Sequence, residues 1–254
     1  MDKNYENKLW ALIYEQYDKS SDRGELEYVF YLNEIKDIKG KVLEIACGTG
    51  SKFLKYLENG VDIYGFDISK EMLEILYQKG FEKGFSNIKE IITQQNMANF
   101  SYPFKFSKIL IPARSFLHLT TQEDQINALK NIYDHLEDKG QLILNFFKPN
   151  LKSLVTKTEE YDFFEEFINP NNNEKIKLSF KNQVDLLKQI IAIDWKFETE
   201  GKEYHSEMKV RWIYKPEFEL LLKLTGFNNV KVYGNFDKTP VTKESNELIW
   251  IAEK

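Results

Sequence analysis

Two short segments of the sequence carry residues whose type and order indicate ligand binding. The first is an apolar run, residues 42–46, that is followed at once by Cys47-Gly48-Thr49-Gly50. Glycines directly after a buried strand let the backbone come close to a ligand at the carboxyl edge of a sheet. The second is Asp67, which ends the next apolar run and is placed to accept hydrogen bonds from both hydroxyls of a ribose. These segments predict a nucleoside site, although Asp67 can also serve only to cap the helix that begins near Ser69.

The spacing of the glycines restricts the class of nucleotide. A dinucleotide fingerprint needs a third glycine three positions after the second, and that position is occupied by the bulky Phe53. No Lys-Ser or Lys-Thr pair follows the loop to hold a triphosphate. The pattern therefore favours an adenosine without a phosphate chain, and S-adenosylmethionine (SAM) fits that description. A nicotinamide-dependent oxidoreductase is the alternative that Phe53 disfavours.

Strands and helices alternate around these segments. We predict strands at residues 42–46, 61–66, 88–93, 109–113 and 141–147. The helices between them are expected to end near Gly60, Gly80 and Gly140, and Ser69 and Thr121 are good N-caps. Alternation at this spacing predicts an α/β fold with a parallel sheet and helices on both faces.

The pattern changes beyond Pro149. Strand-like runs at residues 175–180, 189–199 and 204–214 predict an antiparallel insertion, with a hairpin turn at Glu200-Gly201-Lys202. A helix that starts at Pro216 and two strands, residues 230–233 and 248–252, follow. We therefore divide the chain into residues 1–150, with N-terminal helices and the nucleoside-binding core, the β-rich insertion at residues 151–214, and residues 215–254, which complete the core.

Composition excludes several classes of protein. The formal net charge is −5, and only three of the 35 basic residues are arginine, which argues against a nucleic-acid or anionic-membrane partner. One cysteine and three widely separated histidines leave no disulfide framework and no metal site. The polar N-terminal segment and the lack of an apolar run of about 20 residues predict a soluble, cytoplasmic protein.

The same residues resemble the motifs of class I SAM-dependent methyltransferases. Residues 44–50 are similar to the first motif, E/D-x-G-x-G-x-G, with Ala46 in the first glycine position. Asp67-Ile68-Ser69 followed by Met72-Leu73 is similar to the second motif, whose acid binds the ribose diol. Gln95-Asn96-Met97 is similar to the segment that packs against adenine. Asn96 replaces the usual aspartate there, so its amide carbonyl has to serve the adenine amino group.

The resemblance extends over nearly the whole chain and points to bacterial small-molecule methyltransferases. It is carried by residues 114–119, 123–125, 135–136, 139–140, 226–227, 232–237 and 245–248. It implies a Rossmann-like, doubly wound, seven-stranded, mostly parallel sheet with antiparallel terminal strands, and a β-rich insertion that acts as a lid over the acceptor pocket. The implied activity is transfer of the SAM methyl group to nitrogen or oxygen of a small molecule.

The expected site residues follow from the motifs and this resemblance. Those expected to bind the cofactor are Glu44, Ala46, Gly48, Gly50, Asp67, Ile68, Met72, Asn96, Met97, Ala113 and Arg114. His118, after the fourth strand, is the candidate general base, with a purely structural histidine as the alternative. Arg114 either holds an acidic group or braces the structure. We expect no metal ion.

Aromatic residues give the remaining expectations. Tyr14, Tyr17, Tyr28 and Tyr31 either cover a sulfonium with their faces or pack in the core. An aromatic wall with acidic neighbours suits an amine or a sugar, but a hydrophobic contact between sheets explains it too; its residues are Phe163, Phe164, Phe167, Trp195 and Trp212. We expect a monomer or homodimer with a small-molecule methyl acceptor. A non-catalytic, SAM-binding regulatory protein is the other alternative, and it would lack an acceptor cavity.

Overall fold

The computed structural model describes residues 8–19, 23–150, 152 and 160–254. The strands in this part of the chain are β1 (Val42–Ile45), β2 (Ile63–Asp67), β3 (Ile92–Gln94), β4 (Phe106–Ile111), β5 (Leu136–Phe147), β6 (Asp162–Ile168), β7 (Lys175–Asp185), β8 (Ile190–Thr199), β9 (Lys202–Arg211), β10 (Asn229–Tyr233) and β11 (Glu247–Glu253). Seven of them form a central sheet in the order β10-β11-β5-β4-β1-β2-β3. Strands β1 to β5 run parallel, whereas β11 is antiparallel to both β5 and β10. The predicted fold class is confirmed.

Helices cover both faces of the central sheet. They are α1 (Lys8–Lys19), α2 (Arg23–Ile35), α3 (Phe53–Glu58), α4 (Lys70–Glu82), α5 (Ile88–Ile91), α6 (Gln122–His135) and α7 (Lys215–Leu224). On one face α2, α3 and α4 bury apolar side chains in one hydrophobic cluster. On the other face α6 and α7 contribute residues such as Leu129 and Phe218 to a second cluster. None of the described helices is long and apolar enough to cross a bilayer.

The strand register brings the two ligand-binding segments together. Ile45, at the end of β1, lies beside Phe66 of β2 in the parallel ladder. Asp67 follows Phe66 and lies beside Gln94 of β3. The loops after β1, β2 and β3 therefore meet at one edge of the sheet, where parallel α/β proteins bind their ligands.

The helix after the glycine loop packs closely without a third glycine. Phe53 is fully buried, and a Cβ added to Gly65 of β2 would lie only 2.8 Å from its ring. The small residue that permits close helix–strand contact is therefore on the strand. This packing explains how the chain accommodates the bulky residue that distinguishes its loop from a dinucleotide fingerprint.

Several predicted element boundaries are wrong. Residues 88–93 do not form one strand, because α5 occupies Ile88–Ile91 and β3 begins only at Ile92. The buried residues here, Ile88 and Ile92, are four positions apart, which is helical spacing. Gly80 does not end α4, but lies inside it, where an added Cβ would lie 2.8 Å from Ile88. Gly140 lies within β5, and α6 already ends at His135.

Other local signals are confirmed. The Ser69 hydroxyl accepts a hydrogen bond from the Met72 amide at the start of α4. Thr121 accepts one from the Asp124 amide at the start of α6. Pro216 lies in the first turn of α7. Glu200 and Gly201, which join β8 to β9, both have positive φ, as a tight hairpin turn with right-handed strand twist requires.

The predicted insertion is a separate antiparallel sheet in the order β6-β7-β8-β9. Strand β6 was not predicted, and its register with β7 is irregular between Phe163 and Glu165, which breaks the alternation of apolar and polar residues. Helix α1 packs against this sheet through Trp10, in a cluster that also contains Met72 of α4. Helix α1 therefore lies between the second sheet and the carboxyl edge of the first.

Candidate active site at the carboxyl edge of the central sheet

The loop after β1 is held in a conformation that turns backbone amides toward the sheet edge. Ala46, Gly48 and Gly50 all have positive φ, at 59°, 55° and 75°. The two glycines serve different purposes. A Cβ on Gly48 would come no closer than 3.9 Å to another residue, Tyr14, so this glycine faces open space. A Cβ on Gly50 would lie 2.7 Å from the buried Leu76, so Gly50 is required for packing.

Asp67 links the loop to the start of α4. One carboxylate oxygen accepts a hydrogen bond from the Gly48 amide at 2.9 Å, and the other accepts one from the Ser69 amide at 2.9 Å. Burial raises the pKa of Asp67 above its usual value, while these amides act in the opposite direction. Since a carboxylate has about four lone-pair sites, both oxygens can accept further bonds. Asp67 therefore stabilises the turn into α4 and can also bind a ligand.

A cavity of about 200 Å³, which we call the first cavity, opens between the ends of β1, β2 and β3. Seven of the residues expected to bind the cofactor line it, namely Ala46, Gly48, Asp67, Ile68, Met72, Asn96 and Met97. His118 lines it as well. The carbonyl oxygen of the Asn96 side chain accepts a bond from the Ala98 amide at 2.9 Å, which fixes the orientation of that amide group.

Two of the expected residues lie behind the first cavity rather than on it. Glu44 is 3% exposed and does not line the cavity. Burial raises the pKa of its carboxyl to about 8, with Lys52 acting in the opposite direction. Gly50 packs against Leu76 and also lies away from the cavity. The motif therefore combines residues that face the cavity with residues that support its wall.

Ala113 and Arg114 border a different space. Both have positive φ, at 56° and 64°, in the loop after β4. The Ala113 amide donates to the buried Glu27 at 2.8 Å. The Arg114 guanidinium pairs with Glu247 of β11, its Nε lying 2.9 Å from the carboxylate, and stacks above the Phe147 ring. Arg114 is thus a brace between the β4 loop and β11, the second of its two predicted roles.

The space that these two residues border is a second cavity, of about 270 Å³. Its wall combines α1, the inner face of the second sheet and the loop after β4. Tyr14 and His118 line both the first cavity and the second. The two spaces therefore meet at a shared boundary made by these side chains.

The four N-terminal tyrosines divide into two pairs. Tyr14 and Tyr17 line the second cavity. Tyr28 instead stacks on Tyr56, with ring centroids 5.5 Å apart, and the buried Tyr31 donates to the Asn145 side chain at 2.9 Å. Of the four tyrosines, only Tyr14 also lines the first cavity, whereas the α2 tyrosines pack in the core.

A small polar cluster ties α1 to the glycine loop. The Thr49 hydroxyl donates to Glu15 of α1 at 3.1 Å, and Lys79 of α4 donates to the Thr49 carbonyl at 2.8 Å. Lys79 also pairs with Glu15. These contacts hold Tyr14, the neighbour of Glu15, over the loop.

Sequence reasoning missed several residues of the first cavity. Ser115, Leu119, Thr120 and Asp124 line it from the β4 loop and the start of α6. The helix-start signal at Thr121 could have identified Asp124, because a helix that begins directly after a parallel strand starts at the carboxyl edge of the sheet. With Asp67, the described lining contains two carboxylates and no lysine or arginine.

Comparison with known proteins relates the chain to methyltransferases. The family described as "Methyltransferase domain" matches residues 42–140, which contain the glycine loop, Asp67 and His118. The chain is similar to the glycine/sarcosine N-methyltransferase of Halorhodospira halochloris, at 24% identity over 233 residues, covering 91% of this chain and 82% of that protein. Both matches support the assignment of the chain as a SAM-dependent methyltransferase.

Solved methyltransferase structures share its fold. The CcbJ methyltransferase from Streptomyces caelestis superposes with a TM-score of 0.81 at 19% identity, covering 98% of this chain and 97% of that one. A SAM-dependent methyltransferase from Clostridium acetobutylicum ATCC 824 superposes with a TM-score of 0.76 at 18% identity, covering 96% and 97%. The second sheet is included in these matches, since they extend over almost the whole chain.

The residues of this methyltransferase fit SAM at the first cavity. SAM carries a sulfonium cation and a ribose, and the described lining offers two carboxylates with no opposing lysine or arginine. The same lining lacks the cations that hold a pyrophosphate. Because Gly48 has no Cβ, a ligand in the cavity can approach its backbone closely. Among the described residues, no group of three or more His, Cys, Asp or Glu side chains is arranged to hold a metal ion.

Proposed function

We propose that this methyltransferase transfers the SAM methyl group to nitrogen or oxygen of a small molecule, with SAM in the first cavity and the acceptor in the second. The observation that carries the proposal is the shared boundary formed by Tyr14 and His118. An in-line displacement requires the two reactants to meet at one point, and adjoining cavities allow this. From here on we call the second cavity the acceptor chamber.

The first cavity offers a distinct group for each part of the cofactor. Asp67 accepts hydrogen bonds from the ribose hydroxyls. Ile68 and Met97 provide apolar surface for the adenine, and Asn96 lies where it can contact the edge of the ring. Ala46 and Gly48 leave room at the loop for the methionine portion, while Met72 closes the wall. We assign Glu44 and Gly50 a supporting role, because they lie behind this surface.

Positioning is the main catalytic contribution that we assign to the protein. SAM supplies a methyl group already activated by a positively charged sulfur. Well-held reactants reach effective molarities of about 10⁵–10⁸ M, so orientation and exclusion of water provide much of the acceleration. His118 lies at the boundary of the two cavities and takes the proton that an N–H or O–H acceptor releases. Arg114 is paired with Glu247 and holds the loop that carries His118.

The presence of a second cavity favours an enzyme over a non-catalytic SAM-binding regulator, which needs no acceptor space. The insertion acts as a lid in this proposal, since its inner face forms one wall of the acceptor chamber. The net charge of −5 favours a small-molecule acceptor over a nucleic acid.

Titration calorimetry with SAM, S-adenosylhomocysteine (SAH) and NADH tests the cofactor assignment. We expect both SAM and SAH to bind and NADH not to bind. Binding of NADH alone would contradict the proposal. Incubation with labelled SAM and a panel of small amines and alcohols then tests transfer, and we expect label in an amine or alcohol product. A chain that binds SAM but transfers no label to any of them would support the regulator instead.

A further inference from the structure

We propose that the acceptor is a neutral amine that carries an apolar ring, rather than an amino acid. This inference rests on the proposed function, because it takes the acceptor chamber as the place where the methyl acceptor binds. Four features of that chamber support it: paired guanidinium groups, a described lining without carboxylates, a cluster of aromatic rings, and its size.

The two arginines that border the chamber both face carboxylates of the protein. Arg23 lies 3.7 Å from the fully buried Glu27, which Lys52 also contacts at 3.1 Å. Arg114 pairs with the buried Glu247. A substrate carboxylate would have to compete with these carboxylates for the guanidinium groups. The contacts already present therefore disfavour an acceptor that needs a guanidinium partner for its carboxylate.

The described lining also contains no aspartate or glutamate. A substrate that arrives with a fixed positive charge finds no carboxylate to pair with there. Besides the two guanidinium groups, the polar groups of the lining include the Asn182 amide, the His118 imidazole and the hydroxyls of Tyr14 and Tyr17. The chamber thus favours an acceptor that is uncharged when it enters, with one polar group to orient it.

Aromatic rings from α1 and the second sheet form one continuous cluster at this wall. The ring of Tyr17 lies 5.4 Å from Phe164, and Phe164 lies 5.7 Å from Trp195. Phe180 lies 5.6 Å from Trp195 on the same face. Such rings stack on apolar rings, and their faces also attract cations.

The chemistry of amine methylation uses both properties of the cluster. The nitrogen lone pair forms the new N–C bond while the C–S bond breaks and its electron pair remains on sulfur. The positive charge moves from sulfonium to ammonium, so a cation arises beside the aromatic faces. The ammonium formed from a secondary amine then gives its N–H proton to His118 and from there to water. An alcohol that gives up its O–H proton during the transfer yields a neutral ether, so no such cationic product forms.

The volume of the chamber sets the size of the acceptor. At about 270 Å³ it lies just below the range of about 300–1,000 Å³ for small-molecule pockets. This space suits a molecule of one or two rings. Glycine and sarcosine would leave most of the aromatic wall without contact.

A matched pair of probes tests this inference by binding. Sarcosine and N-methylbenzylamine share the same methylamino-methylene group and differ in a carboxylate or a phenyl ring. With the SAH-loaded chain at alkaline pH, we expect N-methylbenzylamine to bind more tightly than sarcosine by about tenfold or more, because a buried phenyl ring contributes that much. Benzyl alcohol should be methylated more slowly than N-methylbenzylamine when SAM is supplied.

Phe164→Leu tests the aromatic wall itself. The substitution keeps an apolar side chain but removes the ring, and Phe164 is 37% exposed, so the fold should tolerate it. We expect the dissociation constant of N-methylbenzylamine to rise about two- to fivefold, with SAH affinity unchanged. The matched control is Phe163→Leu, since Phe163 is 60% exposed and does not line the chamber. The control should leave both affinities at the wild-type values.

The outcomes separate the two proposals. The acceptor class would be overturned if sarcosine bound as tightly as N-methylbenzylamine, if benzyl alcohol were methylated as fast as that amine, or if the two leucine variants had equal effects. In each of these cases, SAH binding would still support the methyltransferase assignment of the first cavity. Failure of SAH to bind at all would instead overturn the proposed function.

Discussion

The first cavity and the acceptor chamber are built in opposite ways. The first cavity is lined mainly by short segments that follow successive strands, and its critical contacts, such as the Gly48 amide to Asp67, involve the backbone. The acceptor chamber is lined by side chains from α1, from all four strands of the second sheet and from the loop after β4. A cofactor common to a whole family can be bound by such a fixed loop, whereas an acceptor is selected by side chains that can change independently.

The first prediction compares the two glycines of the loop and has the largest expected effect. Gly50→Ala should lower the free energy of unfolding by about 2–4 kcal/mol, since it combines a left-handed backbone with a Cβ pressed against Leu76. Gly48→Ala should cost only about 1–2 kcal/mol, for the backbone alone, but should weaken SAM binding. Chemical denaturation and SAM titration of both variants check this. Equal losses of stability would show that Gly48 is also a packing residue.

The second prediction concerns Glu44, behind the first cavity. Because burial raises its pKa from 4.5 to about 8, the folded protein keeps a proton that the unfolded chain releases. The free energy of unfolding should therefore fall by about 2–3 kcal/mol between about pH 6 and pH 8, at about 1.4 kcal/mol per unit.

Glu44→Gln should remove this part of the pH dependence, as measured by urea unfolding across that range. Glu58→Gln serves as the control, since that partly exposed side chain pairs with Lys83 at the surface. An identical slope in wild type and Glu44→Gln would show that Glu44 is ionised in the folded protein.

The third prediction tests the first cavity alone. Asp67→Ala should weaken SAM binding by about 1–3 kcal/mol, through the loss of charged hydrogen bonds to the ribose. Asp62→Ala, at the exposed start of the same strand segment, should leave the affinity unchanged. Calorimetric titration of the folded variants measures both. Wild-type affinity in Asp67→Ala would assign this carboxylate only to the turn into α4.

The fourth prediction concerns His118, at the boundary of the two cavities, and has the smallest expected effect. His118→Ala should slow turnover about tenfold, equivalent to about 1.4 kcal/mol, with SAM affinity nearly unchanged. Steady-state kinetics over a range of pH, together with a SAM titration, separate the two quantities. A wild-type rate with an unaltered pH profile would make His118 a structural residue.

The different construction of the two cavities also explains why the sequence predicted much of the first cavity. The glycine loop, Asp67 and the Asn96-Met97 segment each follow a strand, so local pattern and parallel register were sufficient to bring them together. The positions of Glu44 and Gly50 behind the wall could not be obtained that way, since a motif gives the order of residues but not which of them face the cavity.

The lining of the acceptor chamber could not be predicted from the sequence, because it depends on tertiary packing. Tyr17 and Trp195 are far apart in the chain and meet only because α1 packs on the second sheet. Strand β6 could not be predicted from alternating polarity, because its register with β7 is irregular near Phe163. The short helix α5 was mistaken for a strand because a brief run with isoleucines fits either period. Local patterns decide neither tertiary packing nor such short elements.

A crystal structure of the chain with SAH tests the central claim most directly. We predict that the ribose hydroxyls lie within hydrogen-bonding distance of Asp67 and that the thioether sulfur points toward the boundary formed by Tyr14 and His118. Density for the nucleoside in the acceptor chamber, or a sulfur directed away from that boundary, would contradict the account.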